Sequence, residues 1–291
     1  MQLINAMIPG RPFVSLEFFP PKEPSDWPSF FKTVDRLAPV APLFASVTYG
    51  AGGSTHHNTL EIVSRLKREH GMETMAHLTC IGSECDEVER FLDSLSREEV
   101  TNVLALRGDL PQDAAPDTPS CRTLLHASDL VTLIRANHPE MGISVAGYPE
   151  THPEAATPEA DLQALRFKVD QGADFVVTQL FFDNKHYFNF VRRARALGIT
   201  TPIIPGILPV VSLKVINRII SLCGATIPAG YLAELEAADR SGGAAAVQRV
   251  GVAYARRQAE ELIASGAPGV HLYTLNRAEA VLEIVDGLLE A

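Results

Sequence analysis

Cysteine is scarce in this chain of 291 residues: Cys80, Cys85, Cys121 and Cys223 are the four. They make no C-x-x-C pair and no zinc-ligand spacing, so a disulfide scaffold and a structural zinc are not expected and the thiols read as reduced. Positive charge is in deficit, with 25 Lys and Arg against 35 Asp and Glu and a formal net charge of −10. No basic run interrupts that balance, which argues against a phosphate backbone as partner. Long apolar runs are missing too, because Gly, Pro or a charge cuts each one short of the about 18 residues a membrane span needs. The N-terminal MQLINAMIPGRPF lacks the charged head and apolar body of a signal peptide, so the expected location is the cytoplasm. Neither G-x-G-x-x-G nor a P-loop occurs, which excludes the Rossmann device for a dinucleotide. There is no H-E-x-x-H and no carboxylate pair at ligand spacing, so no metal is expected. Lysine is absent from the predicted strand ends, which disfavours a Schiff-base aldolase.

What is present is enough apolar residue, 46% of the chain, to build a sizeable core without cross-links. It comes in short runs of strand length: 14–19, 43–48, 74–79, 102–107, 143–148, 174–179, 202–207 and 270–275. A segment with apolar residues at three- and four-residue spacing follows each, the alternation of a parallel sheet covered on both faces. Pro158-Glu159 and Gly172 bracket one helix, Asn184 and Gly198 another. About eight such units predict an α/β fold, a (β/α)8 TIM barrel in a single domain over 1–291, ahead of an open doubly wound sheet. Residues 226–265 are the excess, reading as two extra helices (229–238 and 244–265) before the last strand. The stretch from Leu110 to Leu125, rich in Asp, Pro, Thr and Ser, reads as a long loop.

A barrel assembles its site at the C-terminal ends of its strands, and those positions are polar here. They hold Glu17, Thr48 and Tyr49, His77 and Thr79, Arg107 and Asp109, then Tyr148, Glu150 and His152, Gln179 and Asp183, and finally Tyr273 and Arg277. Polar groups at the lip of apolar strands cost desolvation unless a partner or ligand offsets it. Glu17 stands in SLEFFPP, where Phe18, Phe19 and the proline pair exclude water, so burial is expected to raise its pKa toward neutrality and suit it to general-acid work. The alternative is a carboxylate at the barrel mouth paired with a nearby Arg. Arg107-Gly108-Asp109 can equally be a strand-end salt bridge closed by a glycine turn, His77 a satisfied core histidine, and His56-His57 the start of a helix. AGGS at 51–54 is either an anion site at a helix N-terminus or a plain turn.

Together EFFPPK (17–22), SVTYGAGG (46–53), HLTC (77–80), ALRGDLP (105–111), YPETHPEA (148–155), TQLFFD (178–183), IIPGILPV (203–210) and YTLNRAE (273–279) resemble the bacterial methylenetetrahydrofolate reductases, from about residue 10 to residue 289. The resemblance implies a barrel that holds FAD noncovalently and, by ping-pong hydride transfer, reduces 5,10-methylenetetrahydrofolate to 5-methyltetrahydrofolate for methionine synthesis. NADH is the expected donor ahead of NADPH. It implies Glu17 as general acid and Asp109 as the carboxylate that binds the pterin and stabilises an iminium cation. Gln179, Leu213, Tyr273 and Arg277 would contact substrate, together with Glu17 and Asp109. Thr48, His77, Arg107, Gly108, Asp109, His126, Ala127, Tyr148, His152, Asp161 and Lys168 match flavin-contacting positions, with Arg107 and Lys168 suited to the pyrophosphate. Two residues depart from the family pattern: His126 where Tyr is frequent, and Leu213 assigned to the position of a Phe that packs on bound nicotinamide or folate. A homodimer or homotetramer is expected. No segment corresponds to the regulatory domain of larger eukaryotic members, so inhibition by S-adenosylmethionine is not expected. The competing readings are a barrel that reduces a related substrate or works without tightly held flavin, and a noncatalytic folate- or flavin-binding protein.

Overall fold

The computed structural model describes residues 1–21, 23–48, 55–81, 83–108 and 124–289. All eight predicted strand segments are found, each within two residues of its expected ends: β1 (Phe13–Phe18), β2 (Ala45–Val47), β3 (Thr74–Thr79), β4 (Asn102–Leu106), β5 (Gly142–Gly147), β6 (Phe175–Thr178), the pair β7 (Ile203–Ile204) and β8 (Gly206–Ile207), and β9 (Gly269–Tyr273). Every pairing is parallel, in the order β7-β6-β5-β4-β3-β2-β1-β9-β8. β7 and β8 are one stave split at Pro205, which has no amide hydrogen to give a ladder. Its lower half bonds β6 and its upper half bonds β9, so the broken stave closes a (β/α)8 barrel.

The surrounding helices are α1 (Trp27–Leu37), α2 (Thr55–His70), α3 (Cys85–Arg97), α4 (Ala127–Asn137), α5 (Pro158–Asp170), α6 (Asn184–Ala196), α7 (Leu213–Cys223), α8 (Ala229–Ala264) and α9 (Ala278–Val285). As expected, α5 begins at Pro158 and α6 at Asn184; the residue before each is its cap, Thr157 accepting from Ala160 N and Asp183 accepting from Lys185 N. His56 and His57 fall in the first turn of α2. The two extra helices form α8, one helical run broken at Gly242 and Gly243, where the backbone is not helical.

Strand alternation divides the apolar residues into layers. Leu16, Phe18, Val47, Leu78, Val103 and Val145 face the helices in one large cluster. Phe13, Phe44, Met75, Leu104, Phe175 and Ile204 fill the lower lumen, with Leu3 of the N-terminal 3-10 turn Leu3–Ala6 packed beneath them. A third cluster seats α7 and α8 on the C-terminal side through Leu180, Phe182, Leu208, Val210, Tyr231 and Val247. The all-thiol reading needs one correction: Cys80 and Cys223 are free, but Cys85 is disulfide-bonded. No described helix is long and apolar enough to cross a membrane.

Candidate active site

On β1, Phe13, Ser15 and Glu17 alternate into the lumen, and the register sets Ser15 beside His271 and Glu17 beside Tyr273. Glu17 is buried, 4% exposed. Its Oε2 lies 3.2 Å from His271 Nε2 and 3.3 Å from His77 Nε2, while the Ser46 hydroxyl donates to it at 3.4 Å. Behind it, His271 Nδ1 is 2.9 Å from Ser15 Oγ, and the ring, fully buried, stacks on Phe44. The environment is therefore not the purely apolar one expected. Burial pushes the Glu17 carboxyl up, but the charge of His77 and the hydrogen bonds of His271 and His77 outweigh it and hold the pKa down to about 2. Glu17 is thus held as a carboxylate between two imidazoles.

The backbone around Glu17 is fixed by the loop after β9. Thr274 Oγ1 donates to the Glu17 carbonyl at 2.7 Å, and Asn276 makes two bonds to the backbone of Phe19, at 3.0 and 2.7 Å. Leu275 and Asn276 both have positive φ, a backbone cost sustained by these bonds. Tyr273 is partly buried, with its hydroxyl donating to the Thr178 carbonyl at 2.8 Å, and desolvation pushes its phenol well up.

Above Glu17 opens a cavity of about 840 Å³, within the range of small-molecule sites. Thr48, His77, Arg107, Gly108, Tyr148, His152, Gln179 and Tyr273 line it with Glu17. A second cavity of about 450 Å³ contains His126, Ala127, Asp161 and Lys168, and shares Leu106, Arg107, Ala146, Tyr148 and His152 with the first. The two are arms of one cleft. Gly108 has φ +83°, and a Cβ there would stand 2.9 Å from Thr79 Cβ, so no larger residue fits this turn. Lys168 reaches from α5 to donate to the Ala146 carbonyl at 2.5 Å, and burial lowers its pKa to about 8. Arg107 forms a two-bond ion pair with Glu154, at 2.6 and 2.9 Å. Asp161 accepts from the His152 amide at 3.0 Å, and His152 Nδ1 accepts from the Glu154 amide at 3.1 Å, leaving Nε2 as the protonated ring nitrogen of the neutral form.

Of the remaining candidates, Asp109, Tyr49, the 51–54 glycine turn and nearly all of the 110–125 loop lie outside the described residues. Arg277 is exposed at the N-cap of α9 and does not line the cleft. Leu213 packs against the cluster under α7 and α8; the wall of the cavity on α7 is built instead by Arg218, Ile219, Leu222 and Cys223. Sequence reasoning also missed His271 and Ser15, although each stands two residues before a chosen residue, Tyr273 and Glu17, and strand periodicity puts such pairs on one face. No group of three or more His, Cys, Asp or Glu among the described residues is arranged to hold a metal ion.

Residues 2–288 match the family profile of methylenetetrahydrofolate reductase. A probable methylenetetrahydrofolate reductase (NADH) of Oryza sativa is 39% identical over 98% of this chain and 49% of its own length. The 5,10-methylenetetrahydrofolate reductase of Escherichia coli is 38% identical over 94% of this chain and 90% of its own. The chain thus spans about half the length of the plant relative and nearly all of the bacterial one. Among solved structures, an uncharacterized Clostridium thermocellum protein that binds two copies of 5-methyl-5,6,7,8-tetrahydrofolic acid superposes with a TM-score of 0.66 at 14% identity, covering 99% of this chain and 98% of that one. At that identity the likeness is one of fold.

Proposed function

The chain belongs to the methylenetetrahydrofolate reductase family, and from this premise we propose that it reduces 5,10-methylenetetrahydrofolate to 5-methyltetrahydrofolate in two half-reactions, with NADH as donor and noncovalent FAD as carrier. The observation that carries the reading is Glu17, a buried ionisable group on the floor of a cleft large enough for a pterin. The relatives' names favour NADH: the plant protein named for it is 39% identical, a Caenorhabditis elegans one named for NADPH 36%.

The narrower arm suits a flavin dinucleotide. Ala127, Ala146, Ala160 and Ala164 leave flat, small-residue walls, while Lys168 and Arg107 supply cations for a diphosphate. His77, buried beside Glu17, lines the larger arm, where a ligand meets the two groups together. When bound, FAD supplies a two-electron carrier that takes hydride from NADH and later gives it to carbon. Tyr148, His152 and Asp161 shape and orient that arm, with His126 and Ala127 at the N-terminus of α4, while Thr48 and Gly108 reach the cofactor from the adjoining larger arm.

In the folate half-reaction, Glu17 with its imidazole neighbours delivers a proton to N10 of the substrate. The N10–methylene bond breaks, the pair stays on N10, and an N5 iminium results. Hydride then reduces the iminium carbon to a methyl group. Glu17 starts as a carboxylate, so this duty requires a bound pterin to shut out water and strengthen the desolvation that already pushes its pKa up. Asp109, which follows Gly108 in the chain, is the proposed counter-charge to the iminium; Gln179 and Tyr273 orient the pterin. Anaerobic addition of NADH to the flavin-loaded protein should bleach its visible band, and 5,10-methylenetetrahydrofolate should restore it. A band that bleaches but is not restored would refute the folate assignment; absence of binding to added FAD would refute the cofactor.

A further inference from the structure

Helix α7 stands over the larger arm of the cleft and is held there from both ends. Ser212 caps it by accepting from Val215 N at 3.2 Å, and just beyond it the Thr226 amide donates to Glu150 Oε2 at 3.1 Å, with the Thr226 hydroxyl bonded to the same carboxylate. Only Ile216 of the helix is buried. Arg218 and Leu222, at i and i+4, share one face, and with Ile219 they line the cavity that has Glu17 at its floor. Leu222 is 75% exposed, the most exposed large apolar residue among those described. An uncovered leucine on a pocket wall is a surface that an apolar ligand group relieves of water. Beside it, Arg218 makes no salt bridge among the described residues, whereas the other arginine of this cavity, Arg107, is engaged with Glu154.

An apolar strip ending in an unpaired cation matches an aryl group that carries a carboxylate. It does not match a dinucleotide, where sugars flank the diphosphate. Resting on the folate reading above, we propose that Arg218 is a specificity-determining residue that pairs with a carboxylate of the substrate's glutamate tail, while Leu222 covers the adjoining aminobenzoyl ring. The pterin is then addressed by the barrel floor and the tail by α7.

Steady-state kinetics of Arg218→Ala and Arg218→Lys, with two substrates, test this. For 5,10-methylenetetrahydrofolate carrying one glutamate, the alanine variant is expected to raise KM about 5- to 10-fold, the loss of one solvent-facing charge-assisted contact. Its kcat and the rate of flavin bleaching by NADH stay at wild-type values, and the lysine variant recovers most of the KM. For the corresponding pteroyl carboxamide, which has the aryl ring but no carboxylate, wild type and variants share one KM. An unchanged KM for the glutamate substrate, an equal rise for both substrates, or slowed bleaching by NADH each overturns the assignment. A wild type that bleaches with NADH yet reduces neither substrate overturns the folate reading itself, so the two failures are distinguishable.

Discussion

The two ends of the barrel lumen are made by the same strands at the same alternation and have opposite chemistry. At the lower end Phe13, Phe44, Met75 and Phe175 interlock around Leu3. Two residues further along β1 and β9 the inward positions are Ser15 and His271, and a further two bring Glu17 and Tyr273. Polarity therefore rises in steps toward the C-terminal mouth, and every step is paired: Ser15 with His271, His271 with Glu17, Tyr273 with the Thr178 carbonyl. The polar groups of these steps are tolerated because each of them meets a partner. The apolar end needs volume and the polar end needs pairing, so the same kind of substitution should act differently at the two.

The largest effect is expected at the polar end. Glu17→Gln keeps the volume and removes the acid, and should slow folate-driven reoxidation of the flavin by roughly 10² to 10⁴, with reduction by NADH little changed; stopped-flow absorbance separates the halves. Phe175→Ala, at the apolar end, should lower stability by about 3–5 kcal/mol through an unfilled cavity while leaving KM near wild type in the protein that stays folded, read by urea unfolding alongside kinetics. A comparable loss of catalysis from Phe175→Ala would erase the distinction between the two ends. Third, Lys168→Met should weaken FAD binding about tenfold, the loss of one charge-assisted contact. Because Lys168 titrates near pH 8, wild-type affinity should fall as pH rises through that value, with no such fall in Lys168→Met; flavin fluorescence quenching reports both. The smallest effect is on acid stability. The Glu17 carboxyl is held below its ordinary 4.5, at about 2, so it contributes stability above pH 4.5 that is lost as pH drops toward 2. Glu17→Gln should flatten that part of the curve of unfolding free energy against pH.

The barrel was legible in the chain because near-continuous apolar strands alternate with punctuated helices, both local patterns. Even the split stave showed as PIIPGI, although its division at Pro205 needed the ladder to be seen. The cleft was legible where polar residues end strands: Glu17, His77, Arg107 and Tyr148 converge from four staves. Two features were not. The pKa of Glu17 was read from its neighbours in sequence, Phe18 and Phe19, whereas its environment is set by His77 and His271, 60 and 254 residues away. The α7 wall was missed because helical phase, which carries Arg218 and Leu222 to the cavity and turns Leu213 to the core, cannot be counted from a strand end.

The broken seventh stave bears on what the lumen can admit. Just past Pro205, Gly206 contributes no side chain, and a Cβ there would press into the Thr178 carbonyl and come within 2.8 Å of the Tyr273 ring. Its amide is anchored by the Thr178 hydroxyl at 2.9 Å. At the level where the neighbouring strands crowd polar groups inward, this stave withholds one, and the Tyr273 ring lies flush against bare backbone. The floor of the cleft is thus shaped partly by subtraction, and its depth depends on a residue that is not itself part of the lining.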